Sequence, residues 1–186
     1  MRFNDNSKLA GQHSFLSASS SSWVNYDDEK LDRVYLSRQA AKRGTDFHDL
    51  AQRCITLNQR LPEFPVTTMG LYVNDAIGFR MKPEVTLFYS INAFCTTDCI
   101  SFRKNMLRIH DLKMGLGHTS ERQLEVYAAY FCLEYGVRPF DIETELRIYQ
   151  NNEARIYEAD PVTISLIMQK IVAFDRRINQ LREDSE

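Results

Sequence analysis

Nowhere in the 186-residue chain is there an apolar run approaching the roughly 18 residues that a bilayer-spanning helix requires. Met1 to Gly11 is polar and lacks the apolar stretch of a secretory signal. Both absences point to a soluble, cytoplasmic protein with no membrane partner. Cysteine is sparse, with four residues at 54, 95, 99 and 132. Only Cys95 and Cys99 are close and no second pair follows, so the paired spacing of a structural zinc site is missing. Free thiols in a reducing compartment are the expectation. Internal repeats and long linkers are also missing, and the one low-complexity patch is Ser17 to Ser22. Residues 1–186 therefore read as a single domain. Charge of one sign is lacking too: 23 basic residues against 25 acidic give a net charge of −2. That removes a generally basic surface as a signature of nucleic-acid binding and leaves room for a local basic groove.

What the chain does contain is a clear alternation of helical and extended patterns. Ser17 or Ser19 is placed to cap a short helix through Trp23 and Tyr26. From Ser37 to Arg60, the residues Ala40, Gly44, Phe47, His48, Ala51, Cys54 and Ile55 recur at helical spacing, with Pro62 and Pro65 beyond the end. Leu71 to Phe79 reads as extended. Val85 to Phe94 is rich in β-branched and aromatic residues and reads as one strand, followed by strands at Thr96–Phe102 and Met106–Lys113. A helix from about Ser120 to Tyr135 stops at Gly136. Ile142–Tyr149 and Ala154–Glu158 form a hairpin around Asn151-Asn152, and Asp160-Pro161 opens a last helix. The expected fold is α/β or α+β, with a central mixed sheet flanked by helices and a C-terminal hairpin and helix.

The stretch that carries chemistry runs from Thr97 to Lys113. If Lys104-Asn105 is a two-residue turn, Arg103 pairs with Met106, and the same register sets Asp98 directly opposite Asp111, with Cβ atoms about 5 Å apart. Like charges facing across a sheet are destabilising. A divalent cation between them removes the conflict, and a hard cation such as Mg²⁺ takes oxygen ligands. Lys113, two residues past Asp111, shares its face at roughly 7 Å along the strand, where an ammonium can orient water or offset phosphate charge. The Leu112 carbonyl is a candidate further ligand, whereas His110 points to the opposite face. The bland alternative is a surface strand bearing a solvated Asp-Lys pair.

Four patches in order resemble the PD-(D/E)xK nucleases, in particular the RecB-type branch that includes lambda exonuclease-like phage enzymes. Gly44-Thr-Asp-Phe-His48 resembles that family's Gly-x-x-x-His helix. Thr97-Asp98 resembles its first core aspartate, and Asp111-Leu-Lys113 its (D/E)-x-K element. Gln123-Leu-Glu-Val-Tyr127 resembles its Gln-x-x-x-Tyr helix. The resemblance implies a restriction-endonuclease-like core in which His48, Asp98, Asp111 and the Leu112 carbonyl hold Mg²⁺ or Mn²⁺. It also implies that Lys113 serves the attacking water, while Gln123 and Tyr127 shape the site or touch the DNA backbone. The expected activity is hydrolysis of DNA phosphodiesters, as an exonuclease of phage-type recombination or repair, in a bacterial or phage-infected cell. Expected partners are DNA, a phage recombination protein and further copies of the chain. Asp111 stands where glutamate is more frequent, and Cys95-Thr96 replaces the small residues often found before the first aspartate. Only Cys132 lies downstream, so the iron–sulfur cluster of some relatives is not expected.

Other residues keep two readings. Gln123 fits a capping box after Ser120 as well as an active site. Glu84 is an accessory acid or an exposed strand end. His118 is a phosphate contact or a solvated loop residue. Arg33, Arg38, Lys42, Arg43, Arg53 and Arg60 line a DNA groove or a solvated helix face. The rival to an enzyme is a nuclease-like module that binds DNA or a protein without cutting.

Overall fold

The computed structural model describes residues 15–16, 18–115 and 120–184. Ser17 and His118 lie outside the described residues. The chain divides into two compact units, Met1–Thr45 and Asp46–Glu186. In the first, a 3-10 helix spans Ala18–Asn25, Phe15 sets its ring edge-on to Tyr35, and Arg38 lies over the Phe15 ring. Helix α1 covers Asp28–Thr56, so it begins well before Ser37. The reason is local: Asp27 accepts the Lys30 amide at 2.8 Å, and Asp28 and Glu29 put negative charge in the first turn. A Cβ at Gly44 would meet nothing within 4 Å, so this glycine is not there for close packing.

The second unit is built on a five-stranded mixed sheet in the order β1-β2-β3-β4-β5. The strands are β1 Lys82–Ser90, β2 Ala93–Arg103, β3 Met106–Leu112, β4 Glu143–Gln150 and β5 Glu153–Glu158. All neighbours are antiparallel except β3 and β4, which are joined in parallel through helix α3, Arg122–Tyr135. A parallel pair needs such a crossover. Lys104 and Asn105 both have positive φ, as do Asn151 and Asn152, so each hairpin closes on a tight two-residue turn. Helix α4, Pro161–Glu183, starts where Asp160 accepts the Val162 and Thr163 amides. One sheet face packs Leu107, Ile109, Leu146 and Ile148 against α3 and α4. The other buries Cys99, Leu112 and Tyr149 with Ala51, Cys54 and helix α2. All four cysteines are free thiols. Among the described residues no helix is long and apolar enough to cross a membrane.

Two segments depart from the sequence-based expectation. Leu71–Phe79 is not extended; it belongs to α2, Thr68–Gly78. Thr67 caps it by accepting the Gly70 amide at 3.0 Å, and Met69, Tyr72, Val73 and Ala76 are buried at helical spacing. Val85–Phe94 is not one strand, because the chain turns at Ile91-Asn92. Ser90 Oγ and Asn92 Nδ2 both donate to Asp175 of α4, at 2.5 and 2.9 Å, which holds that turn.

Gly70 sits where a side chain has no room. A Cβ there would lie 2.9 Å from Thr67 Oγ1 and 3.3 Å from the Pro62 carbonyl oxygen. The clash outweighs the ~1 kcal/mol that alanine gains over glycine in a helix. Gly70→Ala is expected to lower stability by about 1–2 kcal/mol in urea unfolding; an unchanged or higher midpoint would contradict this packing.

Candidate metal centre

The β2–β3 register is fixed by the tight turn. Arg103 faces Met106, Phe102 faces Leu107, and the ladder runs on to Cys99 opposite His110. Asp98 of β2 and Asp111 of β3 are the next residues beyond that pair, near enough for the Asp98 charge to act on Asp111. Leu112 enters the site through its amide, which donates to Asp98 Oδ2 at 2.8 Å. That bond turns the Asp98 carboxylate toward the end of β3. His48 arrives from the C-terminal half of α1, its Nδ1 3.6 Å from Asp98 Oδ2. That is ion-pair distance and too long for a hydrogen bond.

Glu84 completes the cluster. One ligand atom each from His48, Glu84 and Asp98 lies within 4.8 Å of the others. Oxygen and nitrogen ligands sit about 2.0–2.6 Å from a divalent ion, so one ion spans such a set. Glu84 is exposed and has φ +50°, an uncommon backbone state for a residue with a side chain. Burial keeps the strand alternation through it, with Pro83, Val85 and Leu87 turned inward and Lys82, Glu84 and Thr86 exposed. Strained backbone of this kind clusters at functional sites.

Asp111 is the most confined acid of the group, with a side chain 1% exposed. Lys113 Nζ lies 2.9 Å from its Oδ2, but neither Asp111 oxygen has a hydrogen-bond partner of good geometry. Burial, and then the Asp98 charge, push the Asp111 carboxyl up to about 6 against the pull of Lys113 and His48. Burial also raises Asp98, opposed by His48, the Leu112 amide and Lys113, while Glu84 adds to the rise. A half-satisfied carboxylate pair away from water is costly unless a cation joins it.

Lys113 is held from its far side. It donates to Gln123 Oε1 at 2.9 Å, and Gln123 Nε2 donates to the Tyr127 hydroxyl at 2.6 Å. Since an ammonium only donates, the Gln123 amide must present its oxygen to Lys113 and its nitrogen to Tyr127. Helix α3 therefore delivers both residues to the site, four positions apart on one face. Gln123 is not used as a cap: its amide is spent on Lys113 and Tyr127, while Ser120 Oγ accepts the Arg122 amide at 3.1 Å. Burial pushes Tyr127 up to about 12, so its phenol stays protonated.

Thus His48, Asp98, Asp111, Lys113, Gln123 and Tyr127 meet in one region, with Leu112 represented by its amide. Glu84, left open between two readings, supplies an acid to it. Periodicity could not have singled it out, because its partners His48 and Asp98 come from α1 and β2, a meeting made by the tertiary fold. His110 lies on the other face, against Phe79 and Tyr149. Of the arginines and lysines around α1, Arg33, Arg38 and Lys42 fall in the first unit and Arg53 and Arg60 in the second.

No protein-family model matches the chain, and no curated protein matches it. Among solved structures it is similar to one described as the crystal structure of SSO0001, at 13% identity and TM-score 0.35, over 57% of this chain and 56% of that one. The chain thus spans a little over half the length of that protein.

The raised Asp111 has a measurable consequence in metal-free protein. Its folded value, about 6, lies above the ordinary 3.8, so the native state holds an extra proton between those values. Its contribution to stability is full below about pH 4 and is lost as pH rises through about 6, a loss on the order of 3 kcal/mol. In the chelated protein, Asp111→Asn is expected to remove most of this fall. Equal slopes of stability against pH in the two proteins would contradict it.

Proposed function

We propose that the protein is a divalent-metal-dependent nuclease acting on DNA phosphodiesters. The observation that supports it most is the buried Asp111 carboxylate, held only by the Lys113 ammonium, near Asp98 and the His48–Glu84–Asp98 set. The donors fit a hard or borderline cation: three carboxylates and one imidazole, with no thiolate in the set. His48, Asp98, Asp111 and the Leu112 carbonyl, with Glu84 added, would hold Mg²⁺ or Mn²⁺. The bound ion would act as a Lewis acid on the phosphate and lower the pKa of a water.

The residues themselves account for the rest. Lys113 is a fixed cation, clamped between Asp111 Oδ2 and Gln123 Oε1, both at 2.9 Å. It holds a water or a phosphate oxygen without first giving up rotamer freedom, which is how preorganised charge lowers a barrier. Tyr127, protonated and already accepting from Gln123, has its own proton free to donate to a phosphate oxygen. The order of elements also supports the reading: a helix bearing His48, a three-stranded antiparallel run bearing both aspartates and Lys113, then a helix bearing Gln123 and Tyr127 before a parallel strand. That is the order in which the resemblance to PD-(D/E)xK nucleases sets its motifs. End-directed cutting and a place in phage recombination belong to that resemblance.

The test is cleavage of end-labelled linear DNA, single- and double-stranded, with Mg²⁺, Mn²⁺ or EDTA. Wild-type protein is expected to cut with either ion and not with EDTA. Lys113→Ala is expected to lose about 10²–10³ in single-turnover rate while binding DNA at near wild-type affinity, because removing one preorganised charge costs about that much. DNA binding without cutting under every ion would return the protein to the silent-module reading. A second expectation concerns the ion alone. Because protons compete for the Asp98 and Asp111 carboxylates, Mn²⁺ should raise the melting temperature more at pH 8 than at pH 5. An equal rise at both would remove the two acids from the ligand set.

A further inference from the structure

Next to the candidate metal centre, on the α3 side of the sheet, lies a cavity of about 460 Å³. Its floor is Val85, Leu87 and Ile100, with Phe102, Phe131 and Tyr135 along one wall and Arg80, Lys82 and Arg103 among the residues that line it. Lys82 and Val85 flank the Pro83-Glu84 pair, and Ile100 is two residues along β2 from Asp98, about 7 Å. The cavity therefore begins one strand pleat from the His48–Glu84–Asp98 set. Its volume falls in the lower half of the ~300–1,000 Å³ typical of ligand pockets, enough for one compact group and too little for a helix or strand.

The lining is complementary to one kind of occupant. Three cations line it and no carboxylate does. None of the three side chains has an ion-pair or hydrogen-bond partner among the described residues. The aromatic wall is continuous: Phe102 and Phe131 have ring centroids 5.1 Å apart, and Phe131 and Tyr135 4.9 Å. Phe102 and Tyr135 are exposed. Exposed aromatic faces beside unpaired cations are how proteins hold single strands, by stacking bases and tracking phosphates. A base inside a duplex cannot enter such a cavity without leaving its stack.

Resting on the nuclease reading above, we propose that this cavity takes the base of an unpaired nucleotide adjoining the phosphodiester at the metal centre, so that the protein prefers single-stranded to fully paired DNA. Arg80, Lys82 and Arg103 pair with the flanking phosphates, and Phe102 and Tyr135 stack on the base.

The test separates this proposal from the one it rests on. Binding of a short fluorescein-labelled single strand is followed by anisotropy with Ca²⁺ replacing Mg²⁺, and cleavage is measured in parallel with Mg²⁺. Tyr135→Ala and the charge reversal Lys82→Glu/Arg103→Glu are exposed changes whose folding is checked by thermal melting. Each is expected to weaken single-strand binding about tenfold, with duplex binding and the Mn²⁺-induced melting shift unchanged. Scanning a single abasic nucleotide along the strand is expected to reveal one position where wild-type affinity drops and the Tyr135→Ala affinity does not. Should wild-type protein cut DNA, but single and paired strands equally, with no abasic position mattering, the cavity proposal is overturned and the nuclease reading stands. Wild-type protein that neither binds nor cuts any DNA overturns both. Wild-type nucleic-acid affinity in the charge-reversed variant overturns the cavity proposal even if the cavity is then found to hold an acidic peptide.

Discussion

Asp98 and Asp111 are brought together by a two-residue turn and by strand pairing, and neither can move away. Cys99 and Leu112, their immediate neighbours, are wholly buried in the core below the sheet, and the Leu112 amide ties Asp98 Oδ2 down. The hydrophobic energy of that core therefore pins two carboxylates next to each other where water is scarce, and the rest of the site is a response to their charge. Lys113 and His48 approach because the acids attract them, and both lower the cost without cancelling it. Gln123 and Tyr127 hold Lys113 from the other side, so the cation cannot swing to solvent and leave the acids unpaired. A pair of this kind is a poor source of stability, because desolvation exceeds what one ammonium returns. It makes sense as a place where a further positive charge is received.

The opposite sheet face shows the contrast. There Arg147 bonds Asp75 and Glu145, each at 2.9 Å, and Arg108 joins Glu145 at 3.1 Å. Tyr149 gives its proton to Asp75 at 2.7 Å, so it must accept the proton of His110 Nδ1 at 3.2 Å. That fixes the tautomer and leaves His110 Nε2 bare. Burial, together with Arg147 and Arg108, pushes His110 down to about 3, so it stays neutral. Every charge in this second network has an opposite charge in contact, and both guanidiniums also lie over the Phe79 ring at 4.6 Å. The network ties α2 to β4, residues far apart in sequence, with the charges matched. Around Asp98 and Asp111, by contrast, acids outnumber the cations in contact with them: Glu84, Asp98 and Asp111 share Lys113 and His48.

This difference explains what could be read from the sequence. The hairpin register, the Asn151-Asn152 turn, the Asp160-Pro161 start of α4 and the stop at Gly136 all rest on local chemistry, and each is present in the fold. The meeting of Asp98 with Asp111 follows from the same local rule. Long-range packing could not be read. Leu71–Phe79 contains enough β-branched and aromatic residues to read as extended, yet the burial of Tyr72, Val73 and Ala76 against the sheet makes it a helix. Context overrides propensity in short segments of this kind. The Asp75–Arg147 pair depends on that helix, so it was invisible as well. Glu84 was legible as an accessory acid or an exposed strand end, but its positive φ leaves no trace in the sequence.

Glu84 and Val85, consecutive in β1, link the two parts of the candidate site. A regular strand would alternate, sending Glu84 and Val85 to opposite faces. β1 does alternate: the Glu84 carboxylate meets His48 and Asp98, while Val85 and Leu87 are turned inward and line the apolar floor of the cavity. Consecutive residues of one strand thus serve a polar cluster and an apolar, cation-lined cavity. A proline or β-branched residue at 84 would disfavour the positive φ found there. Either would also remove the acid from the cluster, while Val85 and Leu87 would keep their place in the cavity floor.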